Sequence, residues 1–179
     1  MSRTSWILIA AIALVMPVAG AQQRSPGAGP VLVVETVKGT IEIETYPNEA
    51  PKTVEHIVAL AKRNFYRGLR VHRVVPGFVV QFGDPQTRDM TQRSRWGSMG
   101  SGRQIGVAEI SPRRTHRLGA VAVAHRGDPR QADSQMYITL APQPGLDGDF
   151  TVFGQVISGL DVARKLVETD IIRNVTVKP

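Results

Sequence analysis

The apolar pattern predicts a mainly β domain, a closed or nearly closed antiparallel sheet with helices covering its ends. Two observations carry this. Short runs rich in β-branched and aromatic residues recur from Val31 to Val177, separated by Gly, Pro and Asx punctuation. Only two segments have helical spacing, one near each end of the domain, so a βαβ repeat does not fit. At 179 residues the chain is long enough for one domain with a sizeable core.

In chain order, Arg3 followed by the unbroken apolar run Ile7–Met16, then Pro17 and Ala19-Gly20-Ala21, predicts a secretory signal peptide over residues 1–21 with cleavage after Ala21. The run is too short for a comfortable membrane span. Residues 22–30 (QQRSPGAGP) have linker composition, and the domain is expected over 31–179. Val31–Val37 and the strictly alternating Thr40–Tyr46, joined at Lys38-Gly39, predict a hairpin. Val54, Ile57, Val58, Leu60 and Ala61 predict a helix over Pro51–Asn64, with Pro tolerated in its first turn. Pro85–Pro112 is a long polar stretch of the kind that is functional or disordered. Strands are expected at Leu118–Ala124, Gln135–Leu140, Phe150–Ile157 and Ile171–Val177. A second helix is expected over Leu160–Thr169, with Leu160, Ala163, Leu166 and Val167 on one face.

Two β-branched runs, Val71–Val75 and Phe78–Phe82, flank the turn signal Pro76-Gly77. Alternation places Arg73 with Val71 and Val75, and Gln81 with Val79. Phe78, Val80 and Phe82 are placed on the other face. An unpaired cation or amide is costly to bury. Taken alone, the hairpin fits a core element with two polar edge residues as well as it fits a binding site.

Composition narrows the chemistry. There is no Cys, so neither a disulfide framework nor thiolate ligation is available. Loss of residues 1–21 removes Arg3 and no acid, so the formal charge of +7 becomes +6. Much of that charge lies between Arg88 and Arg117. With Trp96 as its lone aromatic, the stretch reads as a solvated basic surface rather than a nucleic-acid site. His56, His72, His116 and His125 lack metal-ligand spacing. His56 reads as a surface or satisfied core residue, His72 as a structural hydrogen bonder, and Asp84 and Asp147 as turn residues. No P-loop or Gly-x-Ser-x-Gly elbow is present.

The segment Val71-His72-Arg73-Val74-Val75-Pro76-Gly77-Phe78-Val79-Val80-Gln81, followed by Gly83-Asp84, resembles the central motif of the cyclophilins, a class of peptidyl-prolyl isomerases. Ser134-Gln135-Met136-Tyr137-Ile138, Leu146-Asp147-Gly148 and Val152-Phe153-Gly154-Gln155-Val156 resemble further family motifs in the same order. So do Gly39-Thr40-Ile41-Glu42-Ile43 and Ala50-Pro51-Lys52-Thr53-Val54-Glu55. The resemblance runs from about Val31 to the C-terminus.

It implies an eight-stranded antiparallel cyclophilin-like β-barrel capped by two α-helices, and isomerisation of Xaa-Pro bonds without a cofactor or metal. Arg73 matches the catalytic Arg, Phe78 a floor of the proline pocket and Gln81 the amide that holds the substrate backbone. Tyr137 and Leu146 match pocket walls. Gln135 lies near the substrate path, and Ala124 and His125 fall where the family binds the peptide in extended form. Val79 stands in place of the usual Met, and Phe150 at a His position, where it keeps the wall apolar. Gly145 replaces a Trp that contacts cyclosporin, so weak cyclosporin binding is expected.

The resulting expectation is an exported, periplasmic, monomeric isomerase that assists folding of secreted proteins by acting on their proline-containing segments. It is expected to bind no nucleic acid and to have no membrane span once the signal is cleaved. A cyclophilin-fold chaperone or scaffold with little turnover is the alternative. A hydrolase or nuclease built from the scattered His and Asp ranks third.

Overall fold

The computed structural model describes residues 29–178. The signal-peptide segment 1–21 and linker residues 22–28 lie outside the described residues. Eight strands form one antiparallel sheet: β1 (Val31–Thr36), β2 (Gly39–Thr45), β3 (Arg73–Val75), β4 (Val79–Phe82), β5 (Ala120–Val123), β6 (Met136–Thr139), β7 (Val152–Ser158) and β8 (Ile172–Lys178). Their spatial order is β3-β4-β6-β5-β7-β2-β1-β8. The two helices are α1 (Pro51–Lys62) and α2 (Leu160–Lys165). The fold is therefore the mainly β architecture with two helices that the sequence predicts.

The sheet curls until its two edge strands approach. The seam is stitched by the segments that lead into them. Arg70 bridges Ile171, the Val71 N–H donates to the Asp170 carbonyl at 2.9 Å, and the Thr169 N–H donates to the Val71 carbonyl at 2.8 Å. This moves Val71 off the Arg73 face. It is fully buried in the main core, because its backbone serves the seam rather than β3.

Alternation along the strands then sorts side chains into two apolar groups. Inward residues Val80, Phe82, Val121, Val123, Met136 and Ile138 join Leu32, Ile41, Ile43, Phe153 and the buried face of α1 in the main core. Outward residues Val79, Ala120, Ala122, Tyr137 and Val152 form a smaller cluster with Tyr46. Phe78, Ala124, Leu146 and Phe150 pack against it. The Ala-Val-Ala-Val-Ala run of 120–124 therefore fills the barrel with its valines and leaves room outside with its alanines.

Two further local expectations are corrected. Phe78 does not share the face of Val80 and Phe82. It sits in the turn, where Gly77 takes φ 70° and the Phe78 N–H donates to the Val75 carbonyl at 2.9 Å, which delivers its ring to the outer cluster. The second helix stops at Lys165. Leu166 is extended, and the Asp170 carboxylate accepts the Val167 N–H at 2.9 Å. Val167 is thereby turned outward, at 52% exposure, rather than sharing a buried face with Ala163 and Leu166.

The Arg-rich stretch is ordered rather than a uniformly solvated surface. It contains two 3-10 segments, Pro85–Arg88 and Met90–Arg95, capped by the carboxylates of Asp84 and Asp89. Arg88 donates to the carbonyls of Phe65 and Arg67. Arg114 is buried, pairs with Glu49 at 2.9 Å and covers the Tyr46 ring at 3.5 Å. Arg117 donates to Gln155 at 2.9 Å. These arginines pin a long connection to the barrel, whereas Arg93, Arg95, Arg103 and Arg113 stay exposed.

Candidate active site

The hairpin of β3 and β4 sets the site. Its register pairs Arg73 with Gln81, Val74 with Val80 and Val75 with Val79. Arg73 and Gln81 therefore stand side by side on the outer face. Arg73 Nη1 lies 3.4 Å from Gln81 Oε1, a long contact, and the guanidinium carbon stands 5.4 Å from the centre of the Phe78 ring. Arg73 is exposed, and no described carboxylate forms an ion pair with it.

Gln81 is oriented from behind. Its Nε2 donates to Gln135 Oε1 at 2.9 Å, and Gln135 Nε2 donates to the Met99 carbonyl at 2.8 Å. The amide chain leaves Gln81 Oε1 turned toward Arg73. The neighbouring loop is held by buried Asp84, whose carboxylate accepts the N–H groups of Gln86 and Met99. A second tie is Asp133, which accepts from His56, Ser101 and the Gly102 N–H.

Beside Arg73 lies a cavity of about 220 Å³ lined by Arg73, Phe78, Val79, Gln81, Ala124, His125, Tyr137, Leu146 and Phe150. Gln135, the remaining residue singled out from the sequence, lines an adjoining groove of about 580 Å³ that shares Gln81, Ala124 and His125 with the cavity. The far side of the groove is the 97–102 loop with Gln104, Arg126 and Asp133.

Two polar groups in the cavity wall are bonded elsewhere, while His125 Nδ1 is buried without a hydrogen-bond partner. His125 Nε2 donates to the Asp149 carbonyl at 2.9 Å, and its ring stacks on Phe150 with centroids 4.4 Å apart. The Tyr137 hydroxyl meets His116 Nε2 at 2.9 Å. Burial, with Asp147 adding to it, pushes the Tyr137 phenol far above its ordinary value, so it stays protonated. What faces the cavity is an apolar bowl with one cation and one amide at its rim. That arrangement suits an apolar ring with a polar backbone lying across it.

Sequence reasoning missed His116, which lies buried behind Tyr137. The signal was Tyr137 itself: a hydroxyl placed in an apolar wall requires a partner. The loop from Gly97 to Gln104 and the Asp133 hub were also missed, because their role depends on contacts between distant segments. Among the described residues no cluster of His, Asp or Glu could hold a metal ion. No helix among them is long and apolar enough to cross a membrane.

The fold and the hairpin site together define a prolyl-peptide isomerase of the barrel type. Residues 31–179 match the family model for the cyclophilin type peptidyl-prolyl cis-trans isomerase, and the chain belongs to that family. It is 41% identical over 138 residues to peptidyl-prolyl cis-trans isomerase B of Bacillus subtilis, covering 77% of this chain and 90% of that protein. It is 40% identical over 139 residues to a peptidyl-prolyl cis-trans isomerase of Schizosaccharomyces pombe, covering 76% and 86%. Among solved structures, a cyclophilin type isomerase of Cryptosporidium parvum superposes with a TM-score of 0.72 at 25% identity, covering 84% of this chain and 98% of that one. The activity that follows is cis-trans isomerisation of Xaa-Pro peptide bonds.

Proposed function

We propose that the cavity beside Arg73 seats the prolyl ring, and that Arg73 accelerates rotation by donating to the prolyl nitrogen. In the planar amide that nitrogen has no free lone pair, because resonance supplies the barrier of about 18–20 kcal/mol. In the twisted transition state the pair becomes localised and accepts a hydrogen bond. A donor used only there lowers the barrier without tightening the ground state. The guanidinium stays charged and keeps its fork geometry. Gln81, oriented by Gln135, receives the substrate backbone, which runs over Ala124 and His125. Phe78, Val79, Tyr137, Leu146 and Phe150 hold the ring.

One observation carries this reading: an exposed Arg without a paired carboxylate stands over an apolar cavity whose Tyr137 hydroxyl and His125 Nε2 are already bonded. Titration with a short Xaa-Pro peptide, followed by amide NMR, tests it. Shifts should concentrate at 73–81, 124–125, 135–137 and 146–150. Exchange between the bound cis and trans signals should accelerate. Shifts confined to another face would overturn the assignment.

We further propose that the protein works outside the cytoplasm, in the periplasm, on proline-containing segments of exported chains. The support is the charge, apolar run and small-residue pattern of residues 1–21. Mass spectrometry of the protein from fractionated cells should show a mature N-terminus at Gln22. A chain that retains Met1 and stays in the cytoplasmic fraction would refute the export reading.

A further inference from the structure

Behind the cavity wall, three side chains form a continuous hydrogen-bonded line. Asp147 Oδ1 lies 2.8 Å from His116 Nδ1 and also accepts the His116 backbone N–H at 2.7 Å. His116 Nε2 lies 2.9 Å from the Tyr137 hydroxyl. The His116 carbonyl accepts the Gln143 N–H at 2.7 Å. The His116 side chain is 1% exposed, and that of Asp147 is 31% exposed. The His116 ring lies nearly parallel to Tyr137, with centroids 5.9 Å apart, and meets Phe150 edge-on at 6.3 Å.

Donor and acceptor roles follow from chemistry. An ionised carboxylate only accepts, so Nδ1 must carry a hydrogen. Burial tends to raise the Asp147 carboxyl, but the His116 backbone N–H and ring outweigh it and hold it below its ordinary value. In neutral imidazole Nε2 then accepts, and the Tyr137 O–H must donate to it. The phenol proton therefore points out of the cavity. The same residue bonds both ends of the loop that carries Leu146, through Gln143 and Asp147.

We propose that His116 is a positioning residue of the isomerase: held by Asp147, it draws the Tyr137 hydroxyl away from the prolyl pocket and fixes the 143–147 loop, with Leu146, against Tyr137. The inference rests on the prolyl pocket proposed above. The pocket grips the ring in ground and transition states alike, so a loosened wall weakens binding rather than turnover. A simple loss of folded protein does the opposite: it lowers apparent kcat and leaves KM unchanged.

The test combines a spectrum with kinetics on protein whose folded fraction is fixed by circular dichroism. In ¹⁵N-histidine spectra of the wild type, His116 should show a protonated Nδ1 and an unprotonated Nε2. The opposite tautomer overturns the proposal. His116→Ala should raise KM for an Xaa-Pro peptide about tenfold with kcat within twofold. His116→Asn, which restores a donor near Asp147, should recover part of the loss. Should His116→Ala not fold, Tyr137→Phe leaves His116 and Asp147 in place. It should raise KM about threefold and leave the His116 tautomer unchanged, because Asp147 still fixes the hydrogen on Nδ1. Unchanged KM in these variants overturns the proposal. Phe78→Ala separates the two levels, since Phe78 lines the pocket but is not one of the three hydrogen-bonded side chains. If Phe78→Ala also leaves KM unchanged, the pocket itself is misplaced. If it raises KM while the His116 and Tyr137 variants do not, only the positioning role falls.

Discussion

Replacing Arg73 with Ala isolates the proposed electrostatic step, because little of the fold depends on this side chain. Arg73 is exposed at the start of edge strand β3, and its Gln81 contact is long, at 3.4 Å. Arg73→Ala should therefore change stability by no more than about 0.5 kcal/mol. What is lost is one hydrogen bond from a charged donor to the prolyl nitrogen, formed in the twisted state. Such bonds contribute about 1.5–3 kcal/mol, so kcat/KM should fall about 10- to 150-fold. Arg73→Lys keeps the charge but not the fork beside Gln81, and should lie between the two. The assay is protease-coupled isomerisation of an Xaa-Pro peptide, with thermal melts run on the same samples. A kcat/KM for Arg73→Ala within threefold of wild type would refute the role of Arg73. Equal rates near background for both proteins would remove turnover altogether and favour a peptide-binding chaperone.

Other consequences can be checked independently. Gly83 takes φ 114°, and a Cβ there would overlap the Ser134 carbonyl oxygen and crowd Gln135 Cα. Gly83→Ala should cost about 2–4 kcal/mol in urea unfolding, and should lower activity by displacing Gln135; a cost under 1 kcal/mol would contradict the close packing of these two segments. Burial would raise the Asp133 carboxyl, but hydrogen bonds from His56, Ser101 and the Gly102 N–H outweigh it and hold it below its ordinary value. A depressed folded-state pKa stabilises the protein fully above the unfolded value of about 3.9 and ceases to do so as pH falls through the folded value. The melting-temperature gap between wild type and Asp133→Asn should therefore be steady above about pH 5 and shrink below about pH 4; a gap that widens on acidification would be inconsistent with this. Gly145 is exposed in the 3-10 turn Pro144–Leu146, with nothing within 4 Å of its would-be Cβ. Cyclosporin should inhibit the wild type weakly and Gly145→Trp more tightly, and equal inhibition constants would argue against a contact at that position.

The barrel was legible because strand signals are local. Alternation in Thr40–Tyr46 and the Pro76-Gly77 turn specify hairpins without knowledge of distant residues. Arg73 and Gln81 stand out by their polarity within apolar strands, but that polarity fits a core edge equally well, and only the resemblance to the cyclophilin motif assigns them to a site. The two corrected faces have a different cause. Val71 reads as strand, yet its backbone bonds belong to Thr169 and Asp170, about a hundred residues further along the chain. Phe78 leaves the alternation because the turn at Gly77 has its own geometry. The end of α2 was missed because it depends on the Asp170 side chain rather than on Gly or Pro. His116 was missed because its partners Tyr137 and Asp147 meet it only after β6 and the 3-10 turn are in place.

The seam of the barrel also bears on how the chain reaches this state. The segment that leads into the Arg73 strand is closed against the lead-in to the final strand, and β1 pairs with β8, joining the two ends of the domain. Its core thus depends on high contact order, and loop closure must be largely complete before those pairings contribute. A chain truncated ahead of Ile172 lacks β8, one of the two partners of β1. The hairpin that carries Arg73 is nearly local in sequence, yet the segment that leads into it is held by residues 169–171, about a hundred residues further along the chain.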